Sequence, residues 1–185
     1  MRRLLRRPVT WAVLSVLAVG LVVGLLVFEP WRAFTSSHVD EAEPVAAPRI
    51  EQPAQPAEDP TSAAAKPAAP PQNEVLAEGA FVDGEHATRG TARVLKLADG
   101  SRVLRLENFS TSDGPDVHVW LTDQPAGGDW GSFDDGRYVA LGEMKATDGN
   151  QNYPIPADAD LNGISSAVIW CDRFNVAFGS APLTL

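Results

Sequence analysis

TARVLKLADGSRVLRL, residues 91–106, reads as two strands and the turn that joins them. Asp99-Gly100 stands between residues 91–97 and 101–106, the spacing of a two-residue hairpin loop with positive φ at its centre. In the second strand Leu104 and Leu106 share one face, while Val103, Arg105 and Glu107 share the other. A period of two suits a half-buried strand with one side against a core and one side wet.

Toward the C-terminus the same grammar repeats. Asp113-Gly114-Pro115 breaks the chain before residues 116–122, where Val117, Val119 and Leu121 alternate with His118, Trp120 and Thr122. Turn signals at Gly127-Gly128, Asp135-Gly136, Asp148-Gly149 and Asn162-Gly163 separate the apolar runs 138–141, 153–155, 167–171 and 175–178. From Gly79 onward, Gly or Pro interrupts every window of helical period. The expectation is an all-β domain over residues 79–185, an antiparallel β-sandwich or small barrel of roughly six to nine strands.

Toward the N-terminus the composition changes twice. Residues 35–78 are rich in Pro and Ala, with scattered acids and no aromatic residue, so nothing there offsets the entropy of ordering. They predict a disordered linker, which at 3.1 Å per residue reaches up to roughly 100 Å. Before it, Arg2, Arg3, Arg6 and Arg7 precede the uncharged residues 9–28. At about 1.5 Å per residue a helix of that length covers the roughly 30 Å hydrocarbon core of a bilayer. Trp11 and Trp31 fall near its ends, and the arginines favour the cytoplasmic side. The expected organisation is a short basic cytoplasmic N-terminus (1–8), a transmembrane signal-anchor helix (9–28), the linker (35–78) and an extracytoplasmic domain (79–185), in a single-pass protein of the cell membrane. A cleaved signal peptide is the competing reading, but Phe28, Glu29, Pro30 and Trp31 are poor residues for a processing site.

The 185 residues hold 15 Lys plus Arg against 24 Asp plus Glu, a formal charge of -9, which makes nucleic acid or an anionic membrane surface a poor partner. The single cysteine, Cys171, excludes an intrachain disulfide framework and a Cys-only zinc cluster. The chain has no G-x-S-x-G turn, H-E-x-x-H pair or glycine-rich phosphate loop. The acid pairs Asp134/Asp135 and Asp158/Asp160 adjoin turn signals, which explain them better than catalysis or calcium binding does. Turnover by this chain alone is not expected.

A set of blocks in fixed order remains. It comprises residues 104–109, Gly114-Pro115-Asp116, Val119-Trp120-Leu121, Tyr138-Val139, Leu141-Gly142, Lys145, Gly149, Gln151 and Tyr153. It closes with Val168-Ile169-Trp170-Cys171, Phe174, Val176, Phe178-Gly179 and Ala181. In these blocks residues 79–185 resemble the DM13 domain, a small β-rich extracellular module. The resemblance implies electron transfer, through a bare thiol or a bound haem-like group, and matches the family's cysteine to Cys171.

A reactive thiol must be partly exposed, with its pKa lowered by a nearby positive charge. If the strand continues, Arg173 shares a face with Cys171 and stabilises its thiolate. The other reading makes Cys171 a small buried hydrophobe beside Ile169 and Trp170. A cofactor would draw on Cys171, His118 and Met144, with His86 in reserve. These are spread too widely for a blue-copper loop, so no metal site is expected. Without a C-x-x-C-H signal, any haem-like group is non-covalent. The expected partners are the membrane, through the helix, and a redox or envelope protein. The alternative function is a tethered β-sandwich for binding or adhesion, presenting Trp120, Trp130, Phe133 and Tyr138, with a purely structural Cys171.

Overall fold

The structure, a computed structural model, describes residues 8–45 and 73–185. Its N-terminal helix α1 (Pro8–Phe28) is apolar on every side. Among the described residues it is the one helix long and apolar enough, over Val9–Phe28, to cross a membrane. It stops where Glu29 turns left-handed, at φ 41°, and Pro30 opens a short 3-10 turn, Pro30–Phe34.

Among the described residues ten strands follow: β1 (His38–Asp40), β2 (Glu74–Ala80), β3 (Val82–Asp83), β4 (Arg89–Lys96), β5 (Arg102–Ser110), β6 (Val117–Thr122), β7 (Tyr138–Glu143), β8 (Asp148–Ile155), β9 (Ser166–Cys171) and β10 (Val176–Pro182). They form two five-stranded sheets, ordered β1-β8-β5-β4-β2 and β3-β10-β9-β6-β7. The architecture is all-β and sandwich-like, with one helix in front.

The β4–β5 hairpin forms where the alternation places it, with Lys96 opposite Arg102. Its loop is longer than the two residues expected. The Leu97 amide donates to the Ser101 carbonyl at 2.8 Å, so Ala98, Asp99 and Gly100 all lie in the turn, with Gly100 at φ 86°. Left-handed glycine at the third position is how a three-residue loop matches the twist of its strands.

Leu104 and Leu106 point into the core with Ala92 and Val94 of β4, and meet Val119 and Leu121 of β6 and Ile169 of β9. Each leucine, valine or isoleucine among these, fully buried, contributes about 1.5–3 kcal/mol. The opposite face of β6 and β9 carries a second cluster in which Trp120, Val168 and Trp170 pack with Phe133 and Ala177. β9 is therefore covered on both sides, and all of its residues are buried.

The far face of β5 is not wet. Val103 packs with Leu95 and Leu97 in a third cluster. Arg105 is 6% exposed and lies under residues that the sequence places in the linker. Its guanidinium donates to the Glu41 carbonyl at 3.2 Å, the Ala42 carbonyl at 3.1 Å and Asn152 Oδ1 at 2.9 Å. Residues 35–45 form a strap along the edge of β8, and β1 within it pairs with β8 in parallel, His38 opposite Asp148. This one pairing departs from the expected antiparallel sandwich, because β1 arrives from upstream rather than through a hairpin. The Glu41 carboxylate accepts from Lys145 Nζ at 2.7 Å and from the Asn152 amide at 2.6 Å. Burial pushes its pKa up, but these donors outweigh burial and hold it below the ordinary carboxylate value.

The boundaries expected for the linker, 35–78, thus shift at both ends: residues 35–45 lie on the sheet, and Glu74–Ala80 is paired with β4. The linker residues 46–72, and residues 1–7 of the basic N-terminus, fall outside the described residues.

At Gly79 the strand β2 passes so close to β10 that an added Cβ would lie 1.9 Å from the Pro182 carbonyl oxygen. Gly79→Ala lowers the urea midpoint with an unchanged slope, a loss of about 1–3 kcal/mol. Buried Tyr153 donates to Gln151 Oε1 at 2.6 Å and accepts from the Lys145 amide at 3.0 Å. Burial pushes its phenol from 10.0 up to about 12. Because the folded value lies above the unfolded one, its contribution is complete below pH 10 and is lost as pH rises from 10 to 12. That loss is about 2–3 kcal/mol, and Tyr153→Phe flattens this part of the stability–pH curve measured by urea titration.

Candidate functional site

β9 ends at Cys171 because the chain there enters a 3-10 turn, Asp172–Phe174, closed by Asn175 in the left-handed region at φ 52°. Cys171 sits on the inner face between Val117 of β6 and Val176 of β10, inside the main core cluster and 0% exposed. Burial pushes its thiol pKa up, the amides of Phe174 and Arg173 pull it down, and the carboxylates of Asp116 and Glu85 push it up again. The net direction is upward, so the thiol is protonated at neutral pH.

The loop Asp113–Asp116 lies beside this strand end. The Asp172 amide donates to the Asp116 carbonyl at 3.0 Å. Asp116 itself has φ 112°, a region that L residues rarely occupy. Its Oδ1 is 2.8 Å from His118 Nε2. Gly114 packs on the Phe178 ring, where an added Cβ would lie 2.8 Å from Cζ, and that ring meets His86 at 4.0 Å between centroids. Two clefts meet at this loop. One, about 290 Å³, opens toward Met144 and Arg173. The other, about 640 Å³, is lined by His86, Phe174, Phe178 and the end of α1.

The residues expected to act with Cys171 are not gathered around it. Arg173 does not share its face: the 3-10 turn redirects the side chain, and its Nη1 donates to the Val27 carbonyl at the end of α1. His118 is opposite Trp170, on the outer face of the sheet and away from the sulfur. Met144 is half-buried against the core at the rim of the smaller cleft. A haem-like group held by Cys171, His118 and Met144 does not fit this arrangement, since the thiol is sealed and the imidazole lies on the other side of the sheet. Among the described residues no three His, Cys, Asp or Glu side chains gather as a metal-binding group.

The aromatic surface of the binding alternative is largely taken into packing. Trp120 and Phe133 are buried around Trp170, while Tyr138, stacked on Trp120 at 4.2 Å, and Trp130 are 44% and 48% exposed. Core packing takes the largest rings.

The feature missed by sequence reasoning is Asp116. Asp113-Gly114-Pro115 marks a chain break, and a non-glycine residue in a strained conformation after it has no signature of its own. The same holds for Arg105, whose alternation places it in water.

A family model described as Electron transfer DM13 matches residues 80–183, from the end of β2 to just past β10. Comparison with curated proteins and with solved structures finds no match. The matched region contains both sheets apart from β1 and most of β2, together with Cys171 and the strained loop beside it, and the chain belongs to the DM13 family.

Proposed function

We propose that this chain is a membrane-anchored electron-transfer module held outside the cytoplasm, with Cys171 as the group that changes redox state. It is not a stand-alone enzyme, and a redox or envelope protein is its partner. The four N-terminal arginines and the apolar α1 support an uncleaved anchor with its N-terminus inside. Family membership supports the electron-transfer role.

The observation that carries the assignment to Cys171 is its position beside the strained residue Asp116, where two clefts meet. A non-glycine residue at such a φ costs on the order of 1–3 kcal/mol and persists only where its surroundings hold it. Here the hold comes from the Asp172 amide and the His118 ring. In this conformation the thiol is shielded, and reaction waits on displacement of the loop. The shielding itself favours a second reading, a structural cysteine in a binding module, because a 0% exposed thiol in a core cluster needs no chemistry to explain it.

One experiment separates the two. The full chain is incubated in detergent with glutathione disulfide and followed by intact mass. The Cys171 thiolate attacks one sulfur, the disulfide breaks, glutathione leaves as its thiolate, and a mixed disulfide remains. The redox reading expects slow addition to folded protein, faster in Asp116→Ala and absent in Cys171→Ala. Complete reaction of urea-unfolded chain with none of the folded chain, in Asp116→Ala as well as in the natural sequence, establishes the structural reading.

The strain at Asp116 has its own check. Asp116→Ala keeps the unfavourable φ and loses the contact with His118, whereas Asp116→Gly loses the contact but relieves the backbone. In urea unfolding the glycine variant is the more stable of the two by about 1 kcal/mol.

A further inference from the structure

The chain between α1 and the sandwich has no slack. Phe28, the last residue of the helix, stacks on Phe174 of the β9–β10 turn, with centroids 6.2 Å apart and planes 10° from parallel. Arg32 donates to the Gly114 carbonyl at 3.2 Å, and the Thr35 hydroxyl donates to Asp113 Oδ2. The Ser37 amide donates to Thr147 Oγ1 at 2.9 Å, and its carbonyl accepts from the Asp148 amide at 3.0 Å. The Glu41 amide donates to the Asn150 carbonyl at 2.9 Å, and Asn152 Nδ2 donates to the Ala42 carbonyl at 2.8 Å. Asn73, just before β2, then donates to the Pro44 carbonyl at 2.8 Å. The described residues that flank the Pro/Ala-rich stretch, Pro44 and Asn73, are therefore in contact, and the length of that stretch does not set the domain's distance from α1.

β8 is shaped to take the strap. Gly149 has φ 105°, and an added Cβ there would lie 1.9 Å from the Val39 carbonyl oxygen. The ion pair Glu41–Lys145 and the buried guanidinium of Arg105 fix the strap's far end.

We propose that the β domain rests directly on the lipid headgroup layer, held there by the strap on the edge of β8, with its Phe174 end facing the bilayer. The inference rests on the reading of α1 as a membrane anchor. A helix that leaves the hydrocarbon layer at Phe28 brings Phe174 to headgroup depth with it. Trp31 and Phe174 are 47% and 49% exposed there, which suits rings at a membrane interface. The larger cleft, bounded by Phe28, His86 and Phe178, then opens at the level of the lipid surface rather than at the end of a long tether.

Energy transfer from the domain to the bilayer tests this. The full chain, as Cys171→Ala with a donor dye on Ala87→Cys, is reconstituted into phosphatidylcholine vesicles that contain a headgroup-labelled acceptor lipid. Transfer is expected to be strong. It is expected to fall at least roughly threefold when Arg32→Ala and Thr35→Ala, which cut the contacts next to α1, are combined with Ser37→Pro and Glu41→Lys to release the strap and free a Pro-rich tether. All four substitutions lie outside the matched domain. Weak transfer before release, or equally strong transfer after it, overturns the inference while leaving the anchor intact. Failure of the protein to float with the vesicles overturns the anchor reading, and the inference with it.

Discussion

The structure depends on β9 being covered on both faces. Its inner side chains, Ala167, Ile169 and Cys171, meet the opposite sheet, while Val168 and Trp170 are closed over by Trp120 and Phe133. A strand buried on both faces tolerates no polar side chain without a partner. Ser166 meets that demand by donating to the Gln124 carbonyl at 2.7 Å. Such a strand holds its neighbours β6 and β10 in fixed register, and so fixes what lies at its end.

What lies at its end is the sulfur. A thiol placed by so rigid a strand has its environment set by packing, and packing here keeps it neutral and dry. Flexibility has to come from the other side, from the turn after β9 and the Asp113–Asp116 loop, where backbone strain and open space coincide. With Cys171 as the proposed redox group, its reaction becomes a question of loop motion rather than of thiol acidity.

The sandwich was legible because its signals are local and periodic. The hairpin around Asp99-Gly100, the alternation in 117–122 and the run 167–171 each follow from neighbours in the chain. The Cys171 environment was only half legible: its burial was one of two readings, but the helical turn that carries Arg173 away depends on Asn175 adopting a left-handed backbone. The strap was not legible at all. His38–Asp40 has no hydrophobic period, and its stability comes from the waiting edge of β8 and from Arg105, far away in sequence. Long-range β-pairing leaves no mark in a composition dominated by Pro and Ala.

The contact between Asn73 and Pro44 gives the Pro/Ala-rich segment adjacent points of departure and return. The entropy of closing such an excursion grows only with the logarithm of its length, about 0.6 kcal/mol for each doubling. The length of the connection between Pro44 and Asn73 can therefore change through evolutionary drift at little thermodynamic cost, while strand register stays as it is.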